Sequence, residues 1–172
     1  MKKEQLAKVL PILLLCTTVI AIAVAIWALF SPKTETPLVP DYAPADTNAQ
    51  TIPGDTGEMA ESDQGGGSVS LNYSNQVTID ISSRQATLMF ANPKRSNQDI
   101  LIQIIIQDQV LAQTGRITPG YQVTTADLLE GASHKLTTGG YDGKFIIFYY
   151  DAVTGEKAVV NTEIPIKIIV KE

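Results

Sequence analysis

One cysteine and one histidine in 172 residues exclude several kinds of protein at once. With Cys16 alone no intrachain disulfide can form, so any folded part of the chain is held by its apolar core. Thiolate and imidazole metal clusters need several such ligands and are excluded with it. His134 lies in Ala132-Ser133-His134-Lys135, which reads as an exposed turn. A histidine-activated serine or threonine nucleophile therefore has little to draw on. Charge is scarce too, at 18% of residues, and comes in blocks. No charged side chain lies between Lys8 and Lys33, and no basic one from Thr34 to Ser68. From Val69 onward nine basic residues face ten acidic ones with no basic stripe, which argues against nucleic acid as a partner.

The first uncharged block is also strongly apolar. As a helix, Val9 to Phe30 would be about 33 Å long, enough for a hydrocarbon core of about 30 Å. Val9, Leu15, Ile22, Trp27 and Phe30 mark the expected span. Pro11 falls in the first turn, where its missing N–H costs little, and Trp27 falls near the far interface. Lys2, Lys3 and Lys8 precede the span, so residues 1–8 are expected in the cytoplasm and everything after Ser31 outside. The lipid bilayer is thus the first expected partner, with a single-pass plasma-membrane location. A cleaved signal peptide would suit Ala21-Ile22-Ala23, but apolar sequence continues to Phe30. A lipobox ending at Cys16 would want a small residue where Leu15 stands.

Residues 31–68 read as a disordered linker. Pro32, Pro37, Pro40, Pro44 and Pro53, seven acids and Gly65-Gly66-Gly67 leave little apolar surface to offset ordering entropy. Val39-Pro40-Asp41-Tyr42 stands out there only as a short motif of docking type. Residues 69–172 change to period two. Val69, Leu71 and Tyr73 alternate with polar residues, as do Val77, Ile79 and Ile81. Ile100 to Ile106 is nearly all apolar and suits a central strand, with Asp99 and Asp108 as flanking charged gatekeepers. Pro119-Gly120 and Val153-Thr154-Gly155-Glu156 mark turns, and Pro165 marks an edge or a bulge. No soluble helix is expected. The fold class is all-β: an immunoglobulin-like sandwich of about seven to nine strands. Leu136, Gly139 and Tyr141 have the Leu-x-x-Gly-x-Tyr spacing of a tyrosine corner, with Gly143 where a disulfide cysteine often stands.

Three runs carry a resemblance. Gly115-x-Ile117-x-Pro119-Gly120-Tyr121-x-Val123, Gly139-Gly140-Tyr141-Asp142-Gly143 and Tyr150-Asp151-x-x-Thr154-Gly155-Glu156 resemble small uncharacterised anchored proteins of Gram-positive, Clostridia-like bacteria. These share a basic N-terminus, one span, an acidic linker and a single β-domain. The resemblance implies an envelope location and carries over no functional residues.

The reading is therefore a non-enzymatic module that binds or organises an envelope protein or glycan, with no cofactor, no catalytic residue and no small-molecule substrate. One alternative is an accessory subunit of a larger membrane assembly, such as a secretion or conjugation apparatus. A second is a weak envelope hydrolase using a carboxylate pair. Calcium at Asp142, Asp151 and Glu156 would require those three to share one end of the domain. The loops 92–99, 118–121 and 139–143 are the expected recognition surfaces.

Overall fold

The computed structural model describes residues 14–24, 39–61 and 66–172. The chain divides into two units, Met1–Glu35 and Thr36–Glu172. In the first, residues 14–24 are helical. Among the described residues no helix is long and apolar enough to cross a membrane. Val9, Trp27 and Phe30 of the expected span lie outside them, while Leu15 and Ile22 sit on the helix with their side chains exposed.

The second unit is almost entirely β. Its strands are β1 (Gln50–Thr51), β2 (Asn72–Tyr73), β3 (Gln76–Asp80), β4 (Gln85–Asn92), β5 (Gln98–Ile106), β6 (Gln109–Gln113), β7 (Tyr121–Asp127), β8 (Gly139–Asp151) and β9 (Lys157–Lys171). A single turn of 3₁₀ helix, Ser133–Lys135, precedes β8. The sheet order is β1-β7-β4-β3-β9-β8-β5-β6, with β2 beside β4. Every pairing between these strands is antiparallel except β3 with β9, where Gln76 to Asp80 run parallel to Lys167 to Lys171. The sheet curls until its ends approach. Ala112 of β6 bridges Leu128, and the Leu129 N–H donates to Leu111 O at 2.8 Å.

Alternation explains the curl. Ile79, Phe90, Ile100, Ile102, Phe145 and Ile147 point inward from four strands and are buried in one core. Phe90 and Phe145 meet edge to face at 5.3 Å, a favourable quadrupolar arrangement. Gln107 and Asp108 join β5 to β6 with φ of 48° and 62°. Two successive positive φ values make the tight turn whose twist matches a hairpin. Asp108 is exposed in that turn, as a gatekeeper would be.

The linker boundary differs from the expectation. Residues 39–61 are not free chain; they are docked on the β-domain and supply β1. Val39 and Ala43 are buried against Leu101 and Tyr150, so this stretch has enough apolar surface for one face after all. Residues 31–38 and 62–65 of the expected linker lie outside the described residues.

Tyr141 sits near the start of β8, and its hydroxyl donates to Thr137 O at 2.9 Å. Leu136 is half-buried against the core, and Gly139 begins the strand at φ 152°. A change of Tyr141→Phe removes that tie and is expected to cost about 1 kcal/mol in chemical denaturation. Gly143 is a close-approach glycine. A β-carbon there would come within 2.7 Å of Ile105 O and 2.5 Å of Ile168 Cδ1. The carbonyl is backbone and cannot yield, so Gly143→Ala is expected to lower stability by about 1–3 kcal/mol on the same measurement.

Candidate functional site

The most unusual chemistry lies where β5 begins. Strand β5 is buried on both faces. Ile100, Ile102 and Ile104 face the core; Asp99 and Leu101 face the other way, where Tyr150 and Phe148 stand opposite them on β8. Residues 39–46 cover that outer face. Tyr150 Oη donates to Pro40 O at 2.8 Å, and Lys157 Nζ donates to Val39 O at 3.0 Å. Lys157 also stands 3.7 Å from Asp41. Further along, residues 44–46 run beside Arg116 like a short extra strand. The Arg116 N–H donates to Pro44 O at 2.8 Å, and the Asp46 N–H donates to Arg116 O at 2.9 Å. The Asp46 carboxylate accepts from Gly115 N–H at 2.6 Å. Gly115 is required here, because a β-carbon would fall 2.6 Å from Asp46 Cα.

Asp99, beneath this cover, was expected to be an exposed gatekeeper and is instead 2% exposed. A strand flanked by aspartates reads as protected only if both aspartates reach water, and here the outer layer closes over one. Arg116 Nε lies 3.1 Å from Asp99 Oδ2, without the alignment of a hydrogen bond, and Asp99 Oδ1 has no partner. Burial pushes the Asp99 carboxyl up to about 6; the Arg116 charge opposes the rise and nearby Asp151 adds to it. Desolvation raises the Tyr150 phenol as well, against Arg116 and with Asp41. Asp151 itself is held low by the N–H groups of Thr154 and Val153 in the following turn.

On the core side of the same end, Asn92 is fully buried. Its Nδ2 donates to Gln98 O at 2.9 Å and to Ile117 O at 3.0 Å, and its backbone carbonyl accepts from Gly120 N–H at 2.6 Å, while its Oδ1 has no partner. Side chain and backbone of this one residue thus tie the end of the loop 93–97 to the turn 118–120. The docked segment braces the pair from outside. Asp55 accepts from the N–H groups of Lys94 and Gly57, which holds its carboxyl below the usual range. Ala60 N–H donates to Arg95 O, and Ile52 N–H donates to Gly120 O. Lys94, Arg95 and Tyr121 remain exposed on this framework.

Of the three loops expected to form one recognition surface, the structure joins only two. Loops 92–99 and 118–121 adjoin; 139–143 lies at the far end of β8, because Asp151, not Gly139, is opposite Gln98. The same separation divides the three expected calcium ligands. Asp142 pairs with Lys167 at one end of β8, while Asp151 and Glu156 lie about 30 Å along the strand. His134 is exposed on the 3₁₀ turn, and Cys16 is exposed on the helix. Sequence reading missed Asp99, Arg116, Asn92 and the docked segment. The only signal was the apolar pair Val39 and Ala43 amid prolines and acids.

No known family matches this chain, and no curated protein is similar to it.

Stability should report the buried carboxyl directly. The folded Asp99 pKa lies above the usual 3.8, so the folded state carries no penalty from it below pH 4. The penalty grows as pH rises toward 6 and is complete above that, up to about 3 kcal/mol for a shift of this size. Asp99→Asn removes the ionisation. Its denaturation midpoint is expected to exceed that of the parent at pH 8 and to approach it at pH 4. A parent midpoint that rises between pH 4 and 7 along with a destabilised Asp99→Asn would contradict this.

Proposed function

We propose that this chain is a single-pass membrane protein, anchored by a helix over residues 9–30, that displays a non-enzymatic binding or structural module in the cell envelope. The reading of the helix is supported by its surface. Leu14, Leu15, Val19, Ile20, Ile22 and Val24 are all exposed, so the apolar side chains face outward on every side. A helix hydrophobic all round suits a nonpolar environment. Its two hydroxyls are satisfied within the helix: Thr17 donates to Leu14 O at 2.9 Å and Thr18 to Leu15 O at 2.8 Å. Hydrocarbon offers no other partner.

The displayed domain is read as an immunoglobulin-like sandwich. In support, β3-β4-β7 and β9-β8-β5 follow the neighbour orders A-B-E and G-F-C of that fold. Tyr141 adds a hydroxyl tied to upstream backbone at the start of the penultimate strand. The departure is that β3 also pairs with β9 and joins the two layers into one sheet.

The observation that carries the recognition role is the pinned loop pair at the Asn92 end. Binding loops gain affinity when they are held in place before the partner arrives. Buried Asn92 and the Asp55 carboxylate hold backbone on both sides of Lys94 and Arg95, leaving two cations and Tyr121 in solvent. That surface suits an acidic envelope protein or an anionic glycan.

Two measurements test the reading. Protease added to wall-stripped cells should digest the β-domain, and complete protection would place it on the wrong side. Immobilised, detergent-solubilised full-length protein carrying Lys94→Glu with Arg95→Glu should capture at least about tenfold less of an envelope extract's acidic protein or anionic glycan than the parent, with an unchanged thermal midpoint. Equal capture would remove the loop pair from the binding surface.

A further inference from the structure

We propose that residues 39–61 are a releasable strap, which docks on the β-domain and comes away without unfolding the sheet, lengthening the free connection to the N-terminal helix. The lengthening matters if the helix is the anchor proposed above; release itself does not depend on that reading.

Most of the strap's contacts lie outside the main core. The β5–β8 and β8–β9 ladders and the inward-facing isoleucines and phenylalanines contain no strap residue. The strap contributes Val39 and Ala43 to a separate small cluster, the half-buried Ala49 to the rim of the main core, a two-residue strand on β7, and bonds at Arg116, Tyr150, Lys157, Lys94, Arg95 and Gly120. Segments with few buried apolar contacts open at lower free energy than the core they rest on. Beyond the strap the chain is held to the sheet again at Ser68, whose N–H donates to Asn97 Oδ1 at 2.7 Å and whose carbonyl accepts from Asn97 N–H at 2.9 Å.

Beneath the strap lies a group that resists being covered. The Asp99 carboxyl has an unpartnered oxygen and only a misaligned guanidinium beside it. The groups around it are Arg116 from residues 114–117, Tyr150 and Asp151 from β8, and, further out, strap Asp41 with Lys157 of β9. Removing the strap returns water to Asp99 and restores an ordinary acidity. Docking is therefore favoured while Asp99 holds its proton and weakened once it ionises. Acid tightens the strap, and neutral pH loosens it.

The effect on reach is large. With the strap docked, residues 31–38 are the only chain between the expected span and the first docked residue, at most about 28 Å. With it released, the connection extends to Ser68 and at most about 130 Å.

Residue-resolved hydrogen exchange on the full-length chain tests this. The reporters are the amides of Asp46, Gly115 and Arg116, whose partners lie across the strap contact. The references are Ile147 and Ile168 in the β8–β9 ladder. After correction for intrinsic rates, the reporters should be protected at least about tenfold less than the references at pH 5, and less again by about tenfold at pH 7.5. Asp99→Asn should abolish the second drop. Gly115→Ala, which sets a β-carbon against Asp46 backbone, should erase reporter protection at Asp46 and leave the references unchanged. Equal protection of reporters and references at both pH values would overturn the proposal. So would a Gly115→Ala variant that loses both together, since the strap would then be part of the folding unit. Neither result bears on which side of a membrane the domain lies.

Discussion

Strand β5 is buried on both of its faces, and the rest of the domain is arranged around that fact. Its alternating isoleucines require a core on one side, which the curled sheet provides by bringing β3, β4, β8 and β9 over them. Its other face carries Leu101 beside Tyr150 and Phe148 of β8, and among the described residues it is Val39 and Ala43, outside any strand, that pack there. That face would be an exposed apolar patch if it were left open. Residues 39–46 close it with two small apolar side chains and a row of backbone acceptors. The polar residues at this end, Asp99 among them, are buried as a side effect of covering the leucine and the tyrosine.

The two layers meet at the same end of the molecule. Asn92 organises the core side and the Asp99–Arg116 pair the outer side, and Ile100 bridged to Ile117 is the strip of backbone they share. The strap then continues past Arg116 to brace the exposed loop of Lys94 and Arg95 through Asp55 and Ala60. The state of the strap and the shape of the loop surface are therefore mechanically connected. A partner that prefers the braced loops also favours the docked strap, by as much as its affinities for the two arrangements differ.

Much of the all-β character was legible from residue order. Val77 and Ile79, Leu88 and Phe90, and Phe145 and Ile147 each alternate inward as period two requires, and Pro119-Gly120 and the turn before Glu156 fall where chain reversals occur. The Tyr141 spacing is local, so its bond to Thr137 could be anticipated from four residues of sequence. What sequence could not display is contact between distant segments. Asp99 looks like a charged flank because nothing near it in the chain says that residues 39–46 lie on top. The strap looks like a spacer because two small apolar residues among prolines and acids give no periodic signal. Asp142 and Asp151 seem near neighbours in the list of acids, yet an unbroken thirteen-residue strand holds them apart.

The parallel contact between β3 and β9 sets the order of events during folding. Gln76 and its neighbour Lys167 are far apart in the chain, with β4 to β8 between them. Until β9 emerges, β3 has β4 on one side and nothing on the other, and Ile166, Ile168 and Val170 are missing from the core. A topology closed by its terminal strands has high contact order and cannot be completed piecemeal. The sheet therefore stays open along β3 until β9 is in place, and its core closes in one late step rather than hairpin by hairpin.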